Sequence, residues 1–364
     1  MRIRDIANCL EAVAPINLQE SYDNSGLLLG SASKEISKAL ITLDVTEAIV
    51  DEAINENCGL IIAHHPLIFK GLKKLTGKTL TERLVVKLIQ SDIAVYAIHT
   101  NLDNVKEGVN GMLAKKLGLT NTRILSAVSG NLNKLITFCP PDHAEKVRLA
   151  MFDAGAGHIG NYDYCSYNLE GKGTFRGLEG SNAFVGKKGD LHTEEEMRIE
   201  TVVPNYKLGS VVKALISAHP YEEVAYDIYP LNNVNSQIGA GMIGEAEAGQ
   251  TGKQFLEKVK KTLQSKALKF SPVVEKKIKK VAICGGSGAF LIPTAYQAGA
   301  DIFITGDVKY HDFFEYHGEM TIVDAGHYET EQFTKELIHS ILKKKFPTFA
   351  LLISNINTNP VNVL

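Results

Sequence analysis

Short apolar runs, each followed by a polar turn, recur in the first and last thirds of the chain. They predict buried strands at Lys38–Leu43, Leu60–Ala63, Ile93–Ile98, Val281–Cys284, Asp301–Thr305 and Thr321–Val323. Helical periodicity follows several of these runs, for example over Thr46–Asn57. Continuous apolar strands that alternate with helices are typical of a sheet covered on both faces. The pattern therefore predicts an α/β fold with a central sheet flanked by helices.

The pattern changes between residues 131 and 235. A strand, helix and strand pattern occurs twice there, first over Leu135–Cys139, Ala144–Ala154 and Tyr162–Asn168, then over Ile199–Val203, Val211–Ser217 and Val224–Tyr229. This repetition predicts a ferredoxin-like (βαββαβ) α+β domain, with a long loop over Gly171–Gly189. Because the first pattern resumes afterwards, we expect a discontinuous core domain, 1–130 and 236–364, with an inserted domain over 131–235. The length of 364 residues agrees with more than one domain.

Composition removes several functional classes. Lysine and arginine number 39 against 41 acidic residues, so the net charge of -2 argues against a nucleic-acid or membrane-surface protein. The 5 cysteines are scattered without a Cys-x-x-Cys pair, which argues against a disulfide framework and a zinc knuckle. Neither a signal-peptide core nor an apolar run of transmembrane length is present. We therefore expect a cytoplasmic protein.

The strongest local signal for chemistry is a pair of histidines, His64 and His65, directly after the apolar run LIIA. Ligands usually bind at the carboxyl ends of strands in an open α/β sheet. Adjacent imidazoles point in different directions, so they could serve two neighbouring metal ions. The alternative is an ordinary hydrogen-bonded pair at a strand end.

Two further strand ends carry side chains of the same kinds. Asp103 follows the run IAVYAI within the segment HTNLD, where it could bind a metal ion or cap a helix. His327 and Glu331 are four residues apart, so one helical turn would place both on the same face. A surface helix start would explain the acidic residues there but not His327.

The three signals together predict a metal site. Parallel strands gather their carboxyl ends along one edge of a sheet, so we expect these side chains to meet there. Three imidazoles and two carboxylates exceed the needs of one zinc with an open position. The set suits two divalent metal ions per chain, and zinc, iron, manganese and nickel are all compatible with it.

Other motifs give weaker predictions. The segment Gly239–Gly244 matches G-x-G-x-x-G, but no clear helix follows it, so we reject a dinucleotide site. Cys284–Gly288 lies between a strand and a helix, where it could be an anion cradle or a tight turn. His311, after another strand end, could act as a general acid or base, and Lys309 could contact phosphate. A capped helix start would explain this segment as well.

Seven short pieces carry a resemblance to a known family: ESYDNSGLLLG, LDVT, HHP, HTNLD, CGGSG, TGD and GHYETE. They run from Glu20 to Glu331 in the family's order. Together they resemble the Nif-three-like family, whose members are named GTP cyclohydrolase 1 type 2 homologues. The family usually has tryptophan where this chain has Tyr22, a difference that concerns local packing and none of the ligand positions.

The resemblance implies a dinuclear metal centre. His65 and Asp103 would hold one ion, His64 and His327 the other, and Glu331 would bridge the two. It also implies a homohexamer with the metal sites facing an internal cavity, and it makes the insert similar to PII-like and CutA-like domains.

Two functions follow as hypotheses. The first is a metal-dependent hydrolase of a nucleotide or related phosphate-bearing heterocycle, which for GTP would open the imidazole ring of the purine at C8. His311 or His99 would then transfer protons. The second is a non-catalytic, metal-dependent regulator or scaffold whose insert senses a small molecule. The fold does not choose between them.

Overall fold

The computed structural model describes residues 1–364. The chain forms two compact units: the first comprises Met1–Ala127 and Gln237–Leu364, and the second comprises Val128–Ser236. Strands and helices are numbered below in chain order. None of the helices is both long and apolar enough to span a membrane.

The first unit contains a 5-stranded sheet. Its strands follow the spatial order β1 (Gly26–Leu29), β4 (Ala94–Ala97), β3 (Leu60–Ala63), β2 (Lys38–Thr42) and β15 (Ala350–Ile353). All neighbours are parallel except the antiparallel pair of β1 and β4. The four residues of β3 and the four of β4 are all buried, which requires cover on both faces of the sheet.

Helices supply this cover. Those around the 5-stranded sheet are α1 (Ile3–Val13), α2 (Glu47–Asn55), α3 (Leu80–Gln90) and α11 (Thr334–Lys345). Ile49 of α2 and Leu84 of α3 share one apolar core with Leu40, Ile61 and Val95 of the strands. Helix α11 contacts β2 and α1. The apolar faces of α2 and α3 thus pack against the sheet.

The first unit also contains a 6-stranded sheet. Its spatial order is β11 (Lys269–Phe270), β14 (Thr321–Asp324), β13 (Ile302–Gly306), β12 (Lys280–Ser287), β10 (Val234–Glu245) and β5 (Thr120–Ser129). The central strands β12, β13 and β14 are parallel. The associated helices are α5 (Val109–Leu117), α8 (Gly252–Thr262), α9 (Ile292–Gln297) and α10 (His327–Glu331), and the short helix α4 (Thr100–Asp103) follows β4 of the 5-stranded sheet. The predicted α/β class is therefore confirmed.

The expectation of one central sheet is wrong, because the parallel strands belong to two sheets. An apolar run shows that a strand is buried on both faces, but it does not show which strand lies beside it. Strands β2 to β4 and strands β12 to β14 form separate parallel groups, each extended by antiparallel or distant strands. The polar segments at their carboxyl ends consequently come from two sheets.

The second unit has the element order β6 (Leu132–Cys139), α6 (Pro141–Asp153), β7 (Ser166–Arg176), β8 (Leu191–Pro204), α7 (Leu208–Ala218) and β9 (Tyr226–Leu231). These strands form a 4-stranded antiparallel sheet in the order β7, β8, β6, β9. Its core joins Leu135, Val147, Ile199 and Leu215. The loop expected over Gly171–Gly189 is shorter than expected, because β7 continues through Gly171 and Gly173 in register with β8.

Candidate metal centre

Two adjacent histidines leave the 5-stranded sheet at the end of β3. Sheet hydrogen bonding continues past the strand, because the His64 N–H donates to Thr42 O (3.3 Å) and the His65 N–H donates to Leu43 O (2.9 Å). The backbone of both histidines is thereby fixed, and their side chains diverge as successive residues of an extended chain do. His64 is fully buried (0% exposed), whereas His65 is only partly covered.

Asp103 lies at the end of α4, directly after β4. Two buried neighbours hold this single turn in place: Asn101 Nδ2 donates to Ala14 O (2.7 Å), and Leu102 packs in the core. The Asp103 carboxylate then faces His64, with Oδ1 3.7 Å from His64 Nε2.

His327 and Glu331 share one face of α10, with His327 Nε2 and Glu331 Oε2 3.1 Å apart. The short helix approaches β12 and β13 so closely that glycine is required there. A Cβ atom on Gly306 would lie 2.8 Å from His327 Cα, and one on Gly286 would lie 2.2 Å from Glu331 Oε1. Gly286 also has a φ of +62°, which side chains rarely tolerate.

All five predicted ligands meet in one cluster around the Glu331 carboxylate. Its Oε2 lies 3.0 Å from His65 Nε2, and its Oε1 lies 3.7 Å from His64 Nε2. Candidate ligand atoms within 4.8 Å of one another form two sets that share Glu331: one with His64 and Asp103, the other with His65 and His327.

This grouping differs from the pairing that the resemblance implies, which places His65 with Asp103 and His64 with His327. The two histidines diverge from adjacent positions. His64 faces α4, which follows the neighbouring strand β4, whereas His65 faces α10. Which of these residues share an ion stays a prediction.

The site fits a cation at one point in particular. His64 Nε2 and Asp103 Oδ1 are buried and have no hydrogen-bond partner in the chain. Buried polar atoms are rarely left unsatisfied, because burial without a partner costs roughly 1–3 kcal/mol. An imidazole nitrogen and two carboxylate oxygens are ligands for divalent transition metals. A cation among them would satisfy both atoms at once.

Each candidate imidazole ligand is also oriented by a hydrogen bond at its Nδ1 atom. His65 Nδ1 lies 2.7 Å from Asp44 Oδ1, His327 Nδ1 lies 2.6 Å from Asp307 Oδ2, and His64 Nδ1 lies 2.8 Å from the carbonyl oxygen of Ile98. In each case Nδ1–H donates and Nε2 faces the cluster. Metal-binding histidines are typically held in this way.

The charges of the cluster are strongly coupled. Burial alone would lower the pKa of His65, but its contacts with Asp44 and Glu331 raise that pKa to about 10. Burial is likewise outweighed at His327, whose pKa is raised to about 9, chiefly by Glu331. Burial lowers the pKa of His64 and, together with the charge of Glu331, raises the pKa of Asp103. Without a metal, the groups with raised pKa values hold protons at the atoms that would otherwise bind a cation.

All members of the cluster except the buried His64 line a cavity of about 1240 Å³ within the first unit. The other lining residues include the aromatic side chains of Tyr22, Phe69 and Phe290 and the cationic side chains of Lys266 and Lys269. These groups add aromatic surface and two cationic side chains to a lining that is otherwise rich in carboxylates.

His311, the predicted acid or base, is not part of this cavity lining. It lies on an exposed 3₁₀ turn, Tyr310–Phe314, and contacts the rings of Tyr310 and Phe314. Lys309 is exposed as well. The structure thus does not bring His311 to the five clustered residues, and its catalytic role stays a prediction.

The glycine segment Cys284–Gly288 forms the end of β12 and the turn that follows, and the anion cradle considered for it is not supported. Its amides are already used: Gly285 N–H donates to Asn110 Oδ1 (2.9 Å), Gly286 N–H to Thr330 Oγ1 (2.9 Å) and Gly288 N–H to Thr305 Oγ1 (2.8 Å). Its role is to let Glu331 approach the sheet.

Sequence reasoning missed the residues that support the ligands. Asp44, Asp307 and Thr358 were not predicted to take part, although the first two lie in the segments LDVT and TGD. Thr358 Oγ1 donates to Asp44 Oδ2 (2.5 Å), so Asp44 links residue 358 to His65. The available signal was an aspartate just after a buried strand, repeated at Asp44 and Asp307.

The chain is similar to known proteins over nearly its whole length. It matches the family described as Duf34/NIF3 (NGG1p interacting factor 3) over residues 1–360. Two curated relatives are called GTP cyclohydrolase 1 type 2 homolog. The one from Halalkalibacterium halodurans is 40% identical over 360 residues, covering 98% of this chain and 97% of that protein. The one from Bacillus subtilis is 39% identical over 370 residues, covering 99% and 98%.

Solved structures agree over the full length. A Bacillus cereus protein related to NIF3 superposes with a TM-score of 0.86 at 39% identity, covering 100% of this chain and 99% of that chain. The Staphylococcus aureus protein SA1388 superposes with a TM-score of 0.78 at 31% identity, with the same coverage. The family match, the curated relatives and these structures all cover nearly the whole chain, so the protein belongs to the Duf34/NIF3 family.

Proposed function

We propose that His64, His65, Asp103, His327 and Glu331 hold two divalent cations. The observation that carries this proposal is the pair of buried, unpartnered atoms, His64 Nε2 and Asp103 Oδ1, 3.7 Å apart beside Glu331. The ring orientation from Asp44 and Asp307 supports it independently. Imidazole combined with carboxylate suits zinc, iron, manganese or nickel.

We infer that the centre hydrolyses a nucleotide or a related phosphate-bearing heterocycle. Small-molecule sites usually occupy about 300–1,000 Å³, so the cavity has room for such a substrate. The relatives' name, GTP cyclohydrolase 1 type 2 homolog, suggests GTP as the first candidate. Divalent cations bound there would lower the pKa of water and stabilise negative charge that develops on the substrate.

The chain's own groups support binding of such a substrate. Tyr22 and Phe69 are exposed at the cavity, with ring centroids 6.3 Å apart, and offer faces on which a heterocycle can stack. Lys266 supplies positive charge for phosphate, whereas Lys269 Nζ is already paired with Asp324 Oδ2 (3.1 Å). Glu331 is buried and contacts both ligand sets, so its position holds the two halves of the centre together.

Metal content is the first test. Protein purified without chelator or a nickel column should contain about two ions per chain, because a two-ion centre needs both positions filled. Elemental analysis measures this directly. A content well below about one ion per chain would count against the paired site.

Activity is the second test. Metal-loaded protein should consume GTP, as followed by chromatography, and His65→Ala should abolish turnover. His317→Ala is the matched control, because this histidine is exposed and does not line the cavity. No turnover of GTP, or equal turnover by the His65 variant, would reject this chemistry and leave the substrate to be sought among other phosphate-bearing heterocycles.

A second candidate function is a metal-dependent regulator whose inserted domain, 131–235, senses a small molecule. The observation that favours it is that the unit Val128–Ser236 has its own apolar core. Its order of two βαβ-like halves supports a ferredoxin-like, PII-like module. Binding of candidate metabolites to the full chain, measured calorimetrically with and without metal, tests this function. If substitutions within this unit leave the binding unchanged, the regulatory function loses its support.

The proposal also covers the oligomeric state and the location of the protein. We infer a homohexamer in the cytoplasm, with the metal sites facing an internal cavity, as the resemblance to the family implies. Sedimentation equilibrium of the purified chain measures the assembly, and a monomer at micromolar concentration would contradict it.

A further inference from the structure

A fourth imidazole, that of His99, points at the same cluster. His99 lies between β4 and α4 and lines the cavity. Its ring centroid is 5.3 Å from that of His64 and 5.3 Å from that of His65. The ligand atoms of the three histidines all lie within 4.8 Å of one another.

His99 is held in the same way as the candidate ligands. Its Nδ1 lies 2.7 Å from Asp23 Oδ1, the same contact that Asp44 makes with His65 and Asp307 makes with His327. With Nδ1–H donating to the carboxylate, Nε2 is the nitrogen left for a ligand. Metal-binding histidines are typically oriented by a second hydrogen bond of this kind.

Asp23 is itself firmly fixed. Its side chain is fully buried (0% exposed), and it accepts hydrogen bonds from Thr100 N (3.0 Å), from Asn24 N (2.7 Å) and from the Ser25 hydroxyl (3.3 Å). The carboxylate therefore cannot turn away, and the His99 ring keeps its direction towards the cluster. Residues from two separate segments of the chain thus orient this one imidazole.

We propose that His99 is a sixth ligand of the metal centre and coordinates through Nε2 on the side of His64 and His65. The inference rests on the proposed function, since it extends the same centre. A face of three imidazoles favours zinc, iron or nickel over manganese, the one cation of the proposed set that prefers oxygen ligands. His99 thereby narrows the class of metal that the centre takes.

Cobalt(II) binding to the metal-free, full-length protein tests this. Its visible absorption reports the ligand set, and competition with a chelator gives the affinity. His99→Ala should change the spectrum and weaken binding of at least one ion by about tenfold or more, and Asp23→Asn should cause a smaller loss, since outer partners typically contribute about 10–100-fold. His317→Ala should match the wild type.

The outcomes separate this inference from the proposed function. If the wild type takes up no cobalt, the proposed metal centre fails. If the wild type binds two ions and His99→Ala shows the same affinity and spectrum, only the role of His99 is overturned. Circular dichroism of the metal-free variants checks folding. His99→Gln, which keeps an amide N–H for Asp23, gives the same test should the alanine variant not fold.

Discussion

Histidines are fixed by hydrogen bonds in both units of the chain, but they converge only in the first. In the second unit, His192 Nε2 contacts the nearby Glu194 (2.7 Å). His219 uses both ring nitrogens, since Nε2 donates to Phe138 O (2.9 Å) and Nδ1 accepts from the Tyr221 N–H (3.1 Å). All three groups of side chains able to hold a cation lie in the first unit.

The difference follows from topology more than from composition. Parallel strands end at the same edge, so residues distant in sequence arrive side by side, and in the first unit two such edges meet. In the antiparallel sheet of the second unit, successive strand ends lie at opposite edges. There His219 satisfies both ring nitrogens locally, and no histidine of this unit belongs to a group able to hold a cation.

The largest expected effect comes from removing a ligand. His64→Ala and His65→Ala each remove one imidazole from one of the two ligand sets. Metal content should therefore fall to about one ion per chain or less. Added metal should then no longer raise the melting temperature, whereas a site filled at 100 times its Kd stabilises the wild type by about 2.7 kcal/mol. Elemental analysis and thermal melts measure both. His192→Ala in the second unit should behave as wild type, and a similar loss there would remove the contrast between the units.

A smaller effect is expected from Gly286→Ala. The new Cβ would collide with Glu331 Oε1 at 2.2 Å, and the residue has a φ of +62°. We expect a loss of about 1–3 kcal/mol in the free energy of unfolding, with weaker metal binding because Glu331 is displaced. Denaturant unfolding and metal titration measure these changes.

Gly130→Ala is the matched control for this substitution. Gly130 has a φ of +70° but no atom within 4 Å of the added Cβ. It should therefore incur only the backbone strain, about 1 kcal/mol, and leave metal binding unchanged. Equal metal affinities for the two variants would show that the closeness of β12 to Glu331 does not matter.

The effect of Thr358→Val should be smaller again. Valine has nearly the same shape but cannot donate to Asp44, so the carboxylate that orients His65 loses one of its two partners. We expect a loss of about tenfold in metal affinity, at the lower end for outer partners of a metal ligand. Thr358→Ser keeps the hydroxyl and should restore most of the affinity. If serine is as weak as valine, the hydroxyl is not the cause.

The smallest effect concerns pH and the second unit. Burial lowers the pKa of His219 below its ordinary value, so the folded unit favours the neutral ring. Its contribution to stability is complete above about pH 6.5, the ordinary pKa of histidine, and is lost as the pH falls below that value towards the folded-state pKa. Unfolding free energies at pH 7.5 and 5.5 should show this loss, and His219→Ala should reduce it. An unchanged difference would assign the pH dependence to other groups.

Much of the secondary structure was predictable, because a strand that is buried on both faces appears in the sequence as a continuous apolar run. The apolar run LIIA occupies the whole of β3, the run Val281–Cys284 lies within β12, and the run Asp301–Thr305 begins one residue before β13. The division of these strands between two sheets was not predictable, because strand neighbours are chosen by packing. Pattern also failed over Gly171 and Gly173, where pairing with β8 outweighs the low strand propensity of glycine.

For the candidate site, the side chains at strand ends were predictable and their supports were not. His64, His65, Asp103, His327 and Glu331 were chosen by residue type and position, and the structure brings them together. Asp23, Asp44 and Thr358 act through contacts with residues 76, 21 and 314 positions away. Such contacts leave no periodic signal in the sequence.

By itself, the sequence determined that histidines and carboxylates follow buried strands, since a strand covered on both faces must be apolar until it leaves the sheet. Only the tertiary structure decided that the strand ends of two sheets face one another, that His64 lies beside Asp103, and that the imidazole of His99 lies near both adjacent histidines. Those choices depend on distances of a few ångströms between segments far apart in the chain, and packing sets such distances.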